Sequence, residues 1–242
     1  CLYLNREYEA SVEAYEQAIS ISPDVPGSYY FPLRVHLVWK GDMEAIRETI
    51  ARMPAGDSEL VRNYLFEVEV ADRRYQAALA LIDEMPEYYE DQITLHPRAA
   101  YRARVSAAMG DTAGARALYE EAAALLEGIA AESPSDFRAQ SDLGPILASL
   151  GRRDEAVAAA RRAVELMPIS KDAEAGVMPA DNLVLTYAIL GEYDTARDLA
   201  DERIRAIPGT LTLTAMRLDP RWDGFLASPQ FAELEKCLGS PR

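Results

Sequence analysis

Lysine is nearly missing from this chain. Lys40, Lys171 and Lys236 are the only three among 25 basic residues, and 40 carboxylates outnumber them all, so the formal net charge is −15. Nucleic acids and anionic membrane surfaces are bound through basic patches, and no nucleic-acid partner is expected here. Cysteine is scarcer still. Cys1 and Cys237 lie at opposite ends, which allows at most one disulfide and no metal knuckle. Histidine occurs twice, as His36 and His96, without the H-E-x-x-H spacing of a zinc protease. There is no apolar run of about 20 residues, so no membrane span is predicted. A basic segment followed by an apolar one, the mark of a secretory signal, is also lacking. The glycine-rich phosphate loops, the G-x-S-x-G elbow and the acidic calcium ladder are absent. These gaps predict no cofactor, no metal and no catalytic residue within this segment. They fit a reducing, cytoplasmic setting, although a larger protein could place the segment in a periplasm. The acidic, lysine-poor balance fits either a salt-rich host or a genome that favours arginine codons.

What is present is a folding composition. Apolar residues make up 49% and charged residues 27%, ordinary values for a globular protein. A unit recurs along it: a turn glycine, an acid or base, then small and apolar residues at helical spacing, then proline. It starts at Gly41, Gly110, Gly151 and Gly191. A fifth unit, "DRRYQAALALIDEMP", has Arg73 at the glycine position, and "NREYEASVEAYEQAISISP" at the start is a sixth. Proline stops follow at Pro23, Pro54, Pro86, Pro134, Pro168 and Pro208. Repetition near 34 residues signals a helical array. Within one unit Ala156, Ala160 and Ala163 fall on one helix face, with arginines between them as the wet side. Small residues there let two helices approach closely, and larger ones would cost roughly 1–3 kcal/mol each. No strand pattern competes, so the reading is all-α, and "EYYED" at 87–91 is expected to be a solvated loop.

Leu143, Gly144, Leu147, Gly151, Ala156, Ala160, Ala163 and Pro168 resemble the tetratricopeptide repeat signature. Tyr187, Gly191, Tyr193, Ala196 and Pro208 look like the next copy. Tyr75, Ala78 and Pro86, and then Ala103, Gly110, Ala115, Tyr119 and Ala122, fit earlier ones. The resemblance implies a right-handed α-α superhelix of about six helix pairs over residues 1–208, with 209–242 as a C-terminal helical cap or tail. The fourth copy's second helix is expected to run long, towards Pro134. Gly41, Ala78, Gly110, Ala115, Gly144, Gly151, Ala156, Ala163, Gly191 and Ala196 are the residues expected to carry the repeat packing. "RLDPRWDGFLASPQFAELEKCL" is similar to the end of a bacterial signalling family. In that family such an array follows a serine/threonine kinase, an adenylate cyclase or a winged-helix domain. The sequence also opens within a repeat, which points to a piece of a longer chain.

The resemblance implies a non-catalytic module that binds protein or peptide in a concave groove. Aligned by their turns, the first helices direct ten residues into it. These are Phe31, Val35 and Trp39 in one copy, then Asn63 and Glu67, Arg104, Arg138 and Ser141, and finally Asp181 and Leu185. Trp222, Phe225 and Phe231 are expected to pack on the last repeat, because a solenoid end lacks a neighbour. The partner's identity is open, and it includes an N-terminal domain of the same chain. Two other readings stand beside this one. The segment is the regulatory end of a kinase or cyclase, or it is a scaffold that forms homo-oligomers through exposed repeat ends.

Overall fold

The computed structural model describes residues 2–54 and 59–239; Cys1 lies outside the described residues. Among these, fourteen α-helices form an all-α solenoid. The second helix of a first pair, α1 (Tyr8–Ile21), is followed by five complete pairs. They are α2 (Gly27–Trp39) with α3 (Met43–Arg52), α4 (Glu59–Ala71) with α5 (Tyr75–Asp83), and α6 (Arg98–Ala108) with α7 (Thr112–Glu132). Then come α8 (Phe137–Ser149) with α9 (Arg153–Leu166), and α10 (Val177–Ile189) with α11 (Tyr193–Arg205). The C-terminal part holds α12 (Leu213–Leu218), a 3-10 turn at Pro220–Trp222, α13 (Asp223–Leu226) and α14 (Pro229–Gly239).

The turn residues explain how each pair folds back. Gly41, Gly110, Gly151 and Gly191 all have left-handed φ, between 65° and 87°, a conformation that glycine adopts without steric cost. Arg6 and Arg73 hold the equivalent turns at φ 62° and 58°, so the geometry persists where the glycine does not. Asp42 and Asp111 cap the next helices by accepting from the backbone N–H of Ala45 (3.1 Å) and Gly114 (2.9 Å), which satisfies donors left open at a helix start. The second helix of the fourth pair, α7, continues for 21 residues.

Close approach of the helices is built on missing side chains. Ala156, Ala160 and Ala163 are fully buried on α9, and Gly144 on α8 sits against Ala160 and Thr186. The core is divided along the array, as expected where each pair meets mainly its neighbours. One cluster spans α6 to α9, another gathers Phe66, Val70, Ala78 and Ile82, and a third holds α10, α11 and the C-terminal helices.

One segment departs from the all-helical expectation. Residues 88–97 form a β-hairpin: β1 (Tyr88–Glu90) pairs antiparallel with β2 (Leu95–Pro97), with Tyr89 opposite His96. Asp91 closes the turn by accepting from the backbone N–H groups of Ile93 (2.8 Å) and Thr94 (2.7 Å). Two three-residue strands are too short to stand alone. Arg138 of α8 braces them, donating to the Asp91 carbonyl at 2.6 Å and pairing with Glu90 at 3.0 Å. The expected solvated loop is therefore a structured insert between α5 and α6.

Candidate functional site: a cavity closed by the C-terminal strap

The first helices of the pairs, α2, α4, α6, α8 and α10, turn one face to the inside of the curve. Residues 209–226 run across it. Gly209 donates its backbone N–H to the Leu4 carbonyl (3.1 Å), and Arg6 donates to the Leu211 carbonyl (3.0 Å). The Thr212 and Thr214 hydroxyls donate to the Val38 and Trp39 carbonyls, at 2.7 Å and 3.2 Å. Those carbonyls close the end of α2, where no intrahelical donor reaches them. The strap then meets α6 through Arg104 and Asp219, 3.4 Å apart, and reaches the turn before α5 through Arg73 and Asp223, also 3.4 Å.

Asp219 is the centre of this crossing. It caps the 3-10 turn by accepting from the Arg221 backbone N–H (3.0 Å) and takes a fork from the Arg221 side chain, the shorter arm 2.7 Å. Arg104 donates twice to Glu67, at 2.8 and 2.9 Å, and its side chain is only 5% exposed. The row Glu67, Arg104, Asp219, Arg221 alternates in sign and is neutral overall, which is how buried charge is tolerated. Burial opposes ionisation of Asp219, but the Arg104 and Arg221 guanidiniums outweigh it and hold its carboxyl well below the usual range.

Behind the strap a cavity of about 320 Å³ remains. Helix α2 supplies Tyr30, Arg34, Leu37 and Val38; α4 supplies Asn63, Tyr64 and Glu67. The hairpin brings Ile93 and His96, α8 brings Asp142, and α10 brings Met178 and Asn182. His96 Nδ1 pairs with the Asp142 carboxylate, and its ring meets Tyr101 edge-on, with 4.1 Å between centroids. Tyr101 donates to Asn63 Oδ1. The Tyr30 and Tyr64 hydroxyls bond to each other.

Of the ten residues that the turn alignment directs inward, Asn63, Glu67 and Arg104 line this cavity. Phe31 stacks on Tyr15 with the rings 5.0 Å apart, and Val35 is buried beside Tyr3 and Val38. Trp39 stacks on Tyr8 at 5.9 Å. Arg138 holds the hairpin, while Ser141 is buried and accepts from Asn182 at 2.9 Å. Asp181 is paired with Arg203 and bonded to Thr210, and burial raises its pKa. Leu185 belongs to the core shared with the C-terminal helices. The cavity residues Tyr30, Arg34, Asp142 and Asn182 each lie one position from an aligned residue, a rotation of about 100° around a helix. Turn spacing places a helix along the chain but leaves its roll undetermined to that extent. Trp222, Phe225 and Phe231 are buried in one cluster with Tyr187, Ala196 and Ala200.

The family model for the tetratricopeptide repeat matches residues 1–25 and 137–169, which take in α1 with the turns on both sides of it and the pair α8–α9 with the turn that follows. The protein carries tetratricopeptide repeats. No curated protein matches the chain. The stretches outside the match include the hairpin insert and the strap, two features that a tetratricopeptide pair does not itself contain. Tetratricopeptide repeats are in general protein-interaction modules. No helix of the described residues is long and apolar enough to cross a membrane.

Proposed function

We propose that this chain is the non-catalytic, protein-binding and regulatory part of a larger bacterial signalling protein acting in the cytoplasm. Residues 1–208 form the tetratricopeptide array and 209–242 its cap. The observation that carries the reading is the strap itself. It binds the inner face through the carbonyls of Val38 and Trp39 and through Arg104, much as a short, partly helical peptide would be held. The chain thus keeps its own segment where a partner peptide would lie. A partner with an Asp-Pro-Arg-like segment, in trans or upstream in the same protein, would compete for Arg104. The similarity of the tail to the signalling family supports the setting.

The test is competition. A labelled peptide spanning residues 209–226 is titrated against the whole chain and against Thr212→Val/Asp219→Ala, whose strap is weakened. Binding at least tenfold tighter to the double variant supports the reading. Equal, weak binding to both, with the double variant still folded, rejects it.

A further inference from the structure

The charged groups around the central cavity are unevenly paired. Four carboxylates border it: Glu67, Asp91, Asp142 and Asp219. Glu67 holds Arg104, and Asp219 holds Arg104 and Arg221. Asp142 holds His96. Asp91 accepts from two backbone N–H groups and from the Tyr89 hydroxyl. Of the three arginines on the wall, two are thereby paired. Arg34 is not. It donates from Nε to the Tyr3 hydroxyl (3.0 Å) and from Nη1 to the Tyr30 hydroxyl (3.2 Å), and its guanidinium lies 5.2 Å from the Tyr3 ring centre. No carboxylate pairs with it among the described residues. Its Nη2 has no bonding partner there either.

A half-buried cation that meets phenols instead of acids is expensive. Charge taken from water is normally paired or neutralised, and a guanidinium does not lose its proton. The face of one tyrosine returns only about 0.5–2 kcal/mol. Deprotonated phenols are not the answer, since burial raises the pKa of both Tyr3 and Tyr64. The cavity offers Arg34 room for an anion. Its volume falls at the small end of ligand pockets, roughly 300–1,000 Å³. Leu37, Val38, Ile93, Met178, Ala215 and Leu218 give it an apolar side. Asn63 accepts from Tyr101 through Oδ1, and its amide N–H groups have no partner among the described residues.

We propose that this cavity binds a small organic acid with one carboxylate, for which Arg34 is the counter-ion. Arg34 is the one guanidinium on the wall that no acid contacts, and a single carboxylate would pair it; Asp91 is satisfied by the turn's own N–H groups and the Tyr89 hydroxyl. A phosphate dianion would need a second one, and Arg104 and Arg221 are already committed to acids. The apolar wall takes the body of the acid. This goes beyond partner binding and does not depend on it: the acid sits behind the strap, between it and the inner helices.

The test compares benzoate with its neutral isostere benzamide, with chloride as the ionic-strength control and inorganic phosphate as a separate arm. Thermal unfolding of the whole chain is the readout. Benzoate at ten times its dissociation constant should raise Tm by about 3–6 °C, with benzamide and chloride leaving it unmoved. Arg34→Met should abolish the difference between benzoate and benzamide, and Arg34→Lys should keep it at reduced affinity. Equal responses to benzoate and benzamide, or none to either, overturn the proposal. So does a response to phosphate alone, or discrimination that survives in Arg34→Met. The wild-type comparison decides by itself if Arg34→Met does not fold.

Discussion

Gly144→Ala is a sharp probe of how this array is packed, because helix propensity and packing predict opposite signs. In an exposed helix the change gains up to about 1 kcal/mol, since glycine loses more freedom on folding. Gly144 is not exposed. A Cβ there would stand 2.9 Å from the Ala160 Cβ, 2.8 Å from Thr186 Oγ1 and 3.4 Å from the Ala160 Cα. Carbon atoms pack best at about 3.5–4.0 Å, so α9 must withdraw by roughly half an ångström. Interiors are too dense to absorb that freely, and overpacking costs about 1–3 kcal/mol. Thr186 must also turn, endangering its 2.7 Å bond to the Asn182 carbonyl, worth about 1 kcal/mol. The net expectation is a loss of about 1–3 kcal/mol. Gly128 on α7 is the control, with nothing within 4 Å of its would-be Cβ, so Gly128→Ala should gain up to about 1 kcal/mol. Urea unfolding followed by helical circular dichroism reads both. Adding Ala160→Gly to Gly144→Ala should recover part of the loss, since the two share one contact. If both alanine variants shift the midpoint in the same direction, close packing at the small residues is not what holds α8 on α9.

Three further expectations follow from the turns, the cap and the strap. Arg73→Gly should hold or raise stability by up to about 1 kcal/mol, because it relieves a left-handed arginine and gives up only exposed contacts, to Tyr75 and Asp223; Arg6→Gly should lower it, since Arg6 also ties the strap at Leu211, and urea midpoints that rank the two the other way refute this. Phe225→Ala, at a fully buried position, should cost about 3–5 kcal/mol; a loss below about 1 kcal/mol in the same assay would mean that the cap does not support the last pair. Asp219→Asn should cost about 3 kcal/mol at neutral pH by leaving Arg221 without its acid and Arg104 with Glu67 alone. The folded pKa of Asp219 lies below its unfolded value of about 3.9, so its contribution is complete above that value and shrinks as the pH falls further. Stability of the wild type should therefore drop more steeply than that of the variant below about pH 4; parallel curves refute the assignment.

The local part of this fold was legible because its causes are local. A glycine at φ 76° and alanines at helical spacing act within one pair, and even Arg6 and Arg73 could be recognised by their place in the pattern. The hairpin was less so. Its strands span only three residues each, and it depends on Arg138, about 47 positions downstream. The strap was not legible at all. Val38 meets Thr212 across 174 residues and Arg6 meets Leu211 across 205, contacts set by the summed curvature of five helix pairs. For the same reason Asn63, Glu67 and Arg104 were found in the sequence while Arg34, Asp142 and Asn182 were not. A helix's roll depends on how its neighbours seat it, and one residue of error moves a side chain from the cavity to the core.

The bond between Gly209 and Leu4 bears on how such an array can change over time. An open stack gains or loses a helix pair at little penalty, because only adjacent units notice. Here the distance between the two joined backbones is set by the number of units in between. Inserting or deleting one would pull the buckle apart, so the number of units between Leu4 and Gly209 is constrained by their own closure as well as by whatever the array binds.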